Sequence, residues 1–475
     1  MVNSDEAKGR VECMRRESIM KKVAFHTLGC KVNQVETEQL KEKFIQRGYQ
    51  LVDFNESADL YIVNTCTVTH SSDRKSRAML RRAARRNPGA LVVATGCLAQ
   101  VDAAQLAAIP GLNLIAGSQQ KEDILDLIEG QVISRSESEP LVVCPPLVAE
   151  KKLPPVIYSK RHERSRAFVK IQDGCQSYCS YCIVPFARGP SRSKLPEDVA
   201  AELQQLVDLG YHEIVLTGIH TGLYGNDLED WNLSRLLRLL FARVKGDYRI
   251  RLSSLEPVEI DEELLEMAAG GERLCRHFHI PLQSGSSRIL RAMNRRYDRE
   301  FYYKLVQDIV QRVNGVAITA DVMVGFPGEE KKDYQDTLAL LQDLPLLDLH
   351  VFKYSKRPGT AAAKMEPQVS DREKEMRSTE LIQLAEAKKR SFINRQLGQE
   401  LEVLVEQRVG EDSFRGLSDN YLELEFSSPR ELTGELTGEL VMVELEAMEN
   451  SIARGRLLYG SFLIEPYCHD THQEG

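Results

Sequence analysis

Three cysteines crowd one short stretch of the chain: Cys175, Cys179 and Cys182, within Gln172-Asp-Gly-Cys-Gln-Ser-Tyr-Cys-Ser-Tyr-Cys-Ile-Val-Pro-Phe-Ala-Arg-Gly189. The spacing C-x3-C-x2-C lets three thiolates converge from a single loop on one object. Three ligands are one short of a closed tetrahedral zinc site, and no histidine lies inside the loop to complete it. A cubic [4Fe–4S] cluster on three thiolates instead keeps one iron open for a further ligand. The loop therefore reads as an open-site cluster, with structural zinc or inert thiols as the alternative.

Cys30, Cys66 and Cys97 pose a second case. Each stands three to five residues beyond an apolar run that predicts a strand: Val23-Ala-Phe25, Leu60-Tyr-Ile-Val63 and Leu91-Val-Val-Ala94. A fourth run, Leu112-Asn-Leu-Ile115, and helical stretches near 34–47, 70–87 and 121–129 complete a βα repetition, which implies a parallel sheet. Such sheets bind ligands beyond the carboxyl ends of their strands, where all three cysteines fall. Glycine or threonine beside each allows the tight turn a cluster loop needs. The reading is a second three-thiolate site; the alternative is three small buried hydrophobes.

The elements that must position the first loop follow the same rhythm. Ala167-Phe-Val-Lys-Ile171 leads into the cysteines, and the strands Ile214–Leu216, Arg249–Leu252, His277–Ile280, Ile318–Val324 and Asp348–Phe352 alternate with predicted helices. Six strands in βα units suit a partial parallel barrel with its chemistry at the carboxyl ends. After a charged helix near 371–396, residues 397–466 switch to short strands and turns, a small antiparallel β barrel of the compact nucleic-acid-binding class. The expected divisions are a flexible extension at 1–20 (with Met20 as an alternative start), an α/β domain at 21–130 and a proline-rich linker at 131–165. The partial barrel at 166–396, the small barrel at 397–466 and a tail at 467–475 follow. Cys144 in the linker has no evident partner, and Cys468, His469 and His472 belong to a frayed tail.

Composition sets the outer limits. The chain has 475 residues, enough for two to four domains, and 42% hydrophobic with 28% charged residues is ordinary for a soluble protein. No apolar run reaches the length of a membrane span, and the first twenty residues lack a signal peptide's apolar core, so a cytoplasmic protein without membrane partners is expected. Ten cysteines in a reducing compartment point to metal chemistry rather than a disulfide framework. A net charge of −8 hides local basic segments at Arg74–Arg86 and Lys160–Arg166. These and Arg188 are candidate phosphate contacts, solvated helix faces being the alternative for the charge runs. His220, His277 and His279 are placed at the barrel mouth or, equally, as structural histidines.

Taken together the motifs resemble the radical S-adenosylmethionine (SAM) superfamily and, within it, the methylthiotransferases. The resemblance spans about 21–466 and rests on Gly29-Cys-Lys-Val-Asn33, Asn64-Thr-Cys66, Thr95-Gly-Cys97, Cys182-Ile-Val-Pro-Phe-Ala-Arg-Gly189, Pro281-Leu-Gln-Ser-Gly285 and Gly325-Phe-Pro-Gly-Glu329. It implies an N-terminal parallel α/β domain, a central partial (βα)6 radical SAM barrel and a C-terminal TRAM-like barrel associated with RNA. It further implies two [4Fe–4S] clusters, on Cys175, Cys179 and Cys182 and on Cys30, Cys66 and Cys97, facing one cavity. SAM would be held with help from Thr217 and Gly218, which contact its methionine amine, and from Gly325, Phe326, Pro327 and Gly328. The branch that modifies N6-threonylcarbamoyladenosine next to the anticodon of tRNA is the nearest in wording, through Pro185–Ser193, Leu216–Gly225 and Arg251–Pro257. Branches acting on isopentenyladenosine in tRNA or on a ribosomal protein remain alternatives, as does a non-catalytic RNA-binding redox sensor. Expected partners are the tRNA anticodon loop, a low-potential electron donor such as flavodoxin or ferredoxin, and a sulfur donor whose identity is open.

Overall fold

The computed structural model describes residues 21–130, 139–149, 152–161, 164–271, 273–428 and 436–460. The expected extension at 1–20 and the tail with Cys468, His469 and His472 lie outside the described residues. Two compact units emerge, one running to Leu147 and including Phe186–Arg188, the other made of Val148–Pro185 and the chain from Gly189 onward.

The first unit is built on six strands: β1 (Lys22–Thr27), β2 (Gln50–Val52), β3 (Leu60–Thr65), β4 (Leu91–Gly96), β5 (Leu114–Ala116) and β6 (Leu141–Val143). They pair all in parallel in the order β2-β1-β3-β4-β5-β6. Tyr61, Val63, Val92 and Ala94 pack with Leu80, Ala83 and Leu98 on one face, while Ile62, Val93 and Leu114 meet Leu40, Phe44 and Ile124 on the other. Burial on both faces is why these strands read as continuous apolar runs. β6 falls in the stretch expected to be linker, so the sheet draws in chain beyond residue 130. Cys144, just after it, packs on the same core and points its thiol at Ala99 O and Ile115 O, and burial pushes that thiol up to about 11.

The second unit holds the six barrel strands, β7 (Arg166–Lys170), β10 (Glu213–Thr217), β11 (Arg249–Leu252), β12 (His277–His279), β13 (Ala317–Val324) and β14 (Asp348–Lys353), with a short ribbon of β8 (Gln172–Asp173) and β9 (Arg192–Ser193). They form two parallel triplets, β11-β10-β7 and β12-β13-β14, linked by a parallel bridge between Ile250 and Leu274. One large apolar core lies between the strands and their helices. Helix starts are set locally, as where Asn232 Oδ1 accepts from Arg235 N at 2.8 Å and Asp298 Oδ1 from Phe301 N at 2.9 Å.

In the same unit β15 (Glu400–Arg408), β16 (Ser413–Ser418), β17 (Glu423–Ser427), β18 (Leu440–Glu449) and β19 (Ile452–Gly460) close a five-stranded barrel. Its pairings are antiparallel except β17 with β19. A buried charge knot joins it to the larger barrel: Glu213 is forked by Arg249 and Arg251, whose other N–H groups donate to Leu417 O and Ser418 O at 2.9 Å. The Tyr421 ring stacks on His277 at 4.0 Å. His277 therefore serves this joint. Among the described residues no helix is long and apolar enough to cross a membrane.

Candidate active site

In the first unit the parallel order sets β1, β3 and β4 side by side, so Cys30, Cys66 and Cys97 leave neighbouring strands at the same sheet edge. Cys30 begins the helix Lys31–Gln46 and Cys97 begins the short helix Cys97–Val101. An asparagine pair pins the turns: Asn33 Nδ2 donates to Leu28 O at 2.6 Å and Thr65 O at 3.1 Å, and Asn64 Nδ2 donates to Asn33 O at 2.9 Å. Gly29 has φ +100°, and a Cβ there would sit 2.9 Å from Cys66 Sγ, so the close approach of two cysteine turns needs glycine.

The three thiols sense one another. Dense protein surroundings raise the Cys30 thiol although it keeps solvent access, and Cys97 adds to the rise while Arg188 opposes it. Burial likewise raises Cys66, with Cys97 and Cys30 contributing. Arg188 Nε lies 3.2 Å from Cys97 Sγ, and its guanidinium also bonds Glu36 and Asn33 Oδ1. Glu36 holds Lys121 as well. Arg188 is therefore buried inside this unit and is not a surface phosphate contact, contrary to expectation. The basic residues Arg74, Lys75, Arg81, Arg82, Arg85 and Arg86 do stand exposed along the helix His70–Arg86.

In the second unit Cys175, Cys179 and Cys182 lie between β8 and the helix Val184–Arg188. The loop is tied down by Cys175 N to Gly189 O at 3.0 Å, Ser180 N to Met293 O at 3.0 Å, and Asn294 Nδ2 to Ser177 O and Tyr178 O. Gly174, at φ +81°, admits Pro190 O to within 2.0 Å of where a Cβ would lie. Burial and the neighbouring thiols push Cys182 up to about 12. Burial also works against the Cys175 thiolate, but His220 Nδ1, 3.3 Å from its Sγ, more than offsets this and lowers it. Glu259 backs His220 at 2.5 Å on Nε2. Arg295 Nη1 approaches Cys179 Sγ at 3.4 Å and is braced by Glu256 and the Tyr297 hydroxyl.

Both triads thus consist of converging thiols with cationic donors aimed at sulfur. An all-thiolate donor set with N–H groups aimed at its sulfurs fits a cubic cluster.

Thr217 and Gly218 end β10 beside this loop. Gln172 joins the two: its Oε1 accepts from His220 N at 2.8 Å, its Nε2 donates to Gly174 O at 2.7 Å, and it packs against Gly218. The turn Gly325-Phe-Pro-Gly328 is held by its own neighbours in the chain. The Lys374 stem covers Gly325, Gly325 N and Phe326 N donate to Glu329, and Phe326 is buried with Ile289, Met293 and Tyr354. Tyr181 of the cysteine loop packs on the same cluster. The Phe326 side chain therefore supports the loop, and the expected approach of this turn to a cofactor is through its backbone. No role was read in the sequence for Gln172, Glu36, Glu259 and Arg295, since their contacts at the cysteines appear only in the folded chain.

Residues 22–117 match the family model described as uncharacterized protein family UPF0004, and 169–341 match the radical SAM superfamily. The chain is 41% identical to the threonylcarbamoyladenosine tRNA methylthiotransferase MtaB of Bacillus subtilis, over 88% of this chain and 93% of that one. It is 40% identical to the Aquifex aeolicus protein of the same name, over 89% and 99%. A tRNA-2-methylthio-N(6)-dimethylallyladenosine synthase of Desulforamulus reducens is 34% identical over 91% and 95%. Among solved structures, the radical SAM methyltransferase TsrM of Kitasatospora setae, with cobalamin and a [4Fe–4S] cluster bound, shares the fold at TM-score 0.53 and 15% identity, covering 72% of this chain and 74% of that one. Identity at this level over nearly the whole length places the chain in the radical SAM tRNA methylthiotransferase family.

Proposed function

We propose that this chain adds a methylthio group to carbon 2 of N6-threonylcarbamoyladenosine, next to the anticodon of tRNA. Cys175, Cys179 and Cys182 would hold one [4Fe–4S] cluster and Cys30, Cys66 and Cys97 a second, with two SAM molecules used. The observation that carries the substrate is the 41% identity, over most of both chains, to an enzyme of that name, against 34% for the dimethylallyladenosine relative. When bound, the clusters supply one-electron cleavage of SAM, hence the radical that takes hydrogen from the adenine, and the sulfur that replaces it.

The protein's own share is placement. Gln172 ties the cysteine loop to Thr217-Gly218, the position proposed for the methionine amine of SAM. Arg295 and His220 hold Cys179 and Cys175 by N–H donors that are themselves fixed by carboxylates. The exposed basic face of the helix His70–Arg86 supports contact with the tRNA backbone, and the closed C-terminal barrel is of the class proposed as TRAM-like. The target base lies in a single-stranded loop, where an unstacked adenine edge is reachable. A low-potential donor such as flavodoxin or ferredoxin supplies electrons, in the cytoplasm.

Mass spectrometry of tRNA nucleosides from cells lacking the gene tests the substrate. Loss of the methylthio form of threonylcarbamoyladenosine is expected. Loss of the isopentenyl derivative instead would reassign the branch, and no change, with no deoxyadenosine formed in vitro, would favour a redox sensor. In purified protein Cys179→Ala should abolish deoxyadenosine formation, whereas Cys66→Ala should keep some of it and lose thiolation.

A further inference from the structure

Three neighbouring strands of the half barrel carry a His–Asp–His group that the proposed chemistry does not use. On β12, β13 and β14 the residues Phe278, Ile318, Ala320, Val322, Leu349 and Val351 face the apolar core. Strand alternation sends His279, Thr319, Asp321 and His350 to the opposite face. The register sets His279 opposite Thr319 and Asp321 opposite His350, so the three side chains meet on adjacent strands.

They meet closely. His279 Nε2 lies 3.2 Å and His350 Nδ1 3.4 Å from the same oxygen, Asp321 Oδ1, and one nitrogen or oxygen of each residue falls within 4.8 Å of the others. The imidazole rings are 5.2 Å apart. Thr319 Oγ1 lies 2.9 Å from His279 Nδ1, the outer hydrogen bond that characteristically orients a ligating histidine. His279 and Asp321 are largely buried, while His350 is about half exposed and gives access.

We infer that His279 Nε2, Asp321 and His350 Nδ1 form a binding site for a borderline divalent cation such as zinc or ferrous iron, separate from both cysteine triads. Two imidazoles and one carboxylate are the donor set such ions take, and a carboxylate oxygen already shared by two nitrogens needs little movement to accept one. Three protein donors leave at least one position of the ion free for a further ligand.

Zinc is the probe that tests this, because the clusters contribute none. Cluster-loaded, oxidised protein is equilibrated anaerobically with zinc and desalted, and zinc and iron are counted by elemental mass spectrometry. About one zinc per chain with unchanged iron is expected, and Asp321→Asn and His350→Ala should each remove it. Thr319→Val should weaken zinc about tenfold or more, as loss of an outer partner does. His350 is partly exposed, so its substitution leaves the core intact and iron content reports folding. Wild-type protein that retains no zinc, or a His350→Ala variant that retains as much as wild type, overturns the site; in the second case the metal sits elsewhere on the chain.

Discussion

Arg188 Nε sits 3.2 Å from Cys97 Sγ, in a first unit that otherwise ends near Leu147. The guanidinium is fully buried, shared between that sulfur, Glu36 and Asn33. A buried cation donating to a cluster's sulfur favours the reduced form, since added electron density on sulfur is met by positive charge. Arg188→Met should therefore shift the potential of the cluster proposed on Cys30, Cys66 and Cys97 to more negative values. An EPR-monitored redox titration in a Cys179→Ala background, which removes the cluster proposed on the barrel loop, reads that cluster alone. Because Glu36 keeps Lys121, the stability loss should stay near about 3 kcal/mol, the low end for breaking a buried pair. An unchanged or raised potential would remove Arg188 from this role.

His220 links Cys175 to Glu259, with contacts of 3.3 Å and 2.5 Å on its two ring nitrogens. Burial disfavours the imidazolium, but the hydrogen bonds to Cys175 and Glu259 more than compensate and hold it up to about 10. His220→Ala should slow deoxyadenosine formation by about 10- to 100-fold, the usual effect of removing an outer partner of a metal ligand. Glu259→Gln leaves the ring in place and should have a smaller effect. The rate of deoxyadenosine release under saturating dithionite and SAM measures both, and equal effects from the two variants would argue that the ring itself does not act on Cys175.

The signals legible in sequence were local ones. Cys175, Cys179 and Cys182 declare themselves by spacing inside one loop, and Cys30, Cys66 and Cys97 because each follows a buried apolar strand. Contacts set by register were hidden: Glu36 and Arg188 lie 152 residues apart, and His279, Asp321 and His350 meet only once three strands are aligned. β6 was masked by the prolines around Leu141–Val143. The side taken by the Phe326 ring was hidden for a related reason. A motif places a residue in a turn without saying which side its ring takes.

Gly29 supplies a steric test of the upstream triad. At φ +100° a side chain strains the backbone, and its Cβ would stand 2.8 Å from Cys66 Cβ and 2.9 Å from Cys66 Sγ. Backbone strain of this kind costs on the order of 1–3 kcal/mol, and the clash displaces a ligand as well. Gly29→Ala should therefore lower bound iron by about half, as expected when one of the two proposed clusters is lost. It should stop methylthiolation while deoxyadenosine formation continues. Full iron content with normal product would mean that Cys66 tolerates the displacement.

Glu213 ties acid stability to the joint between the two barrels of the second unit. Its carboxylate is wholly buried and accepts from Arg249 Nε at 2.9 Å and from Arg251 Nε and Nη2 at 2.7 and 2.9 Å. Burial favours the protonated form, yet the two arginines prevail and depress the group from 4.5 to about 2. A depressed carboxylate stabilises the fold fully above its unfolded value and loses that contribution as pH falls through the folded one. Cluster-free protein should thus lose about 3 kcal/mol between pH 4.5 and pH 2 from this residue. Glu213→Gln leaves Arg249 and Arg251 facing a neutral group, which costs about 3–5 kcal/mol at pH 7. Urea midpoints against pH should give a variant curve that lies lower at neutrality and is flatter in acid than that of the wild type. A variant curve parallel to wild type across that window would show that the fold does not hold Glu213 below its unfolded value.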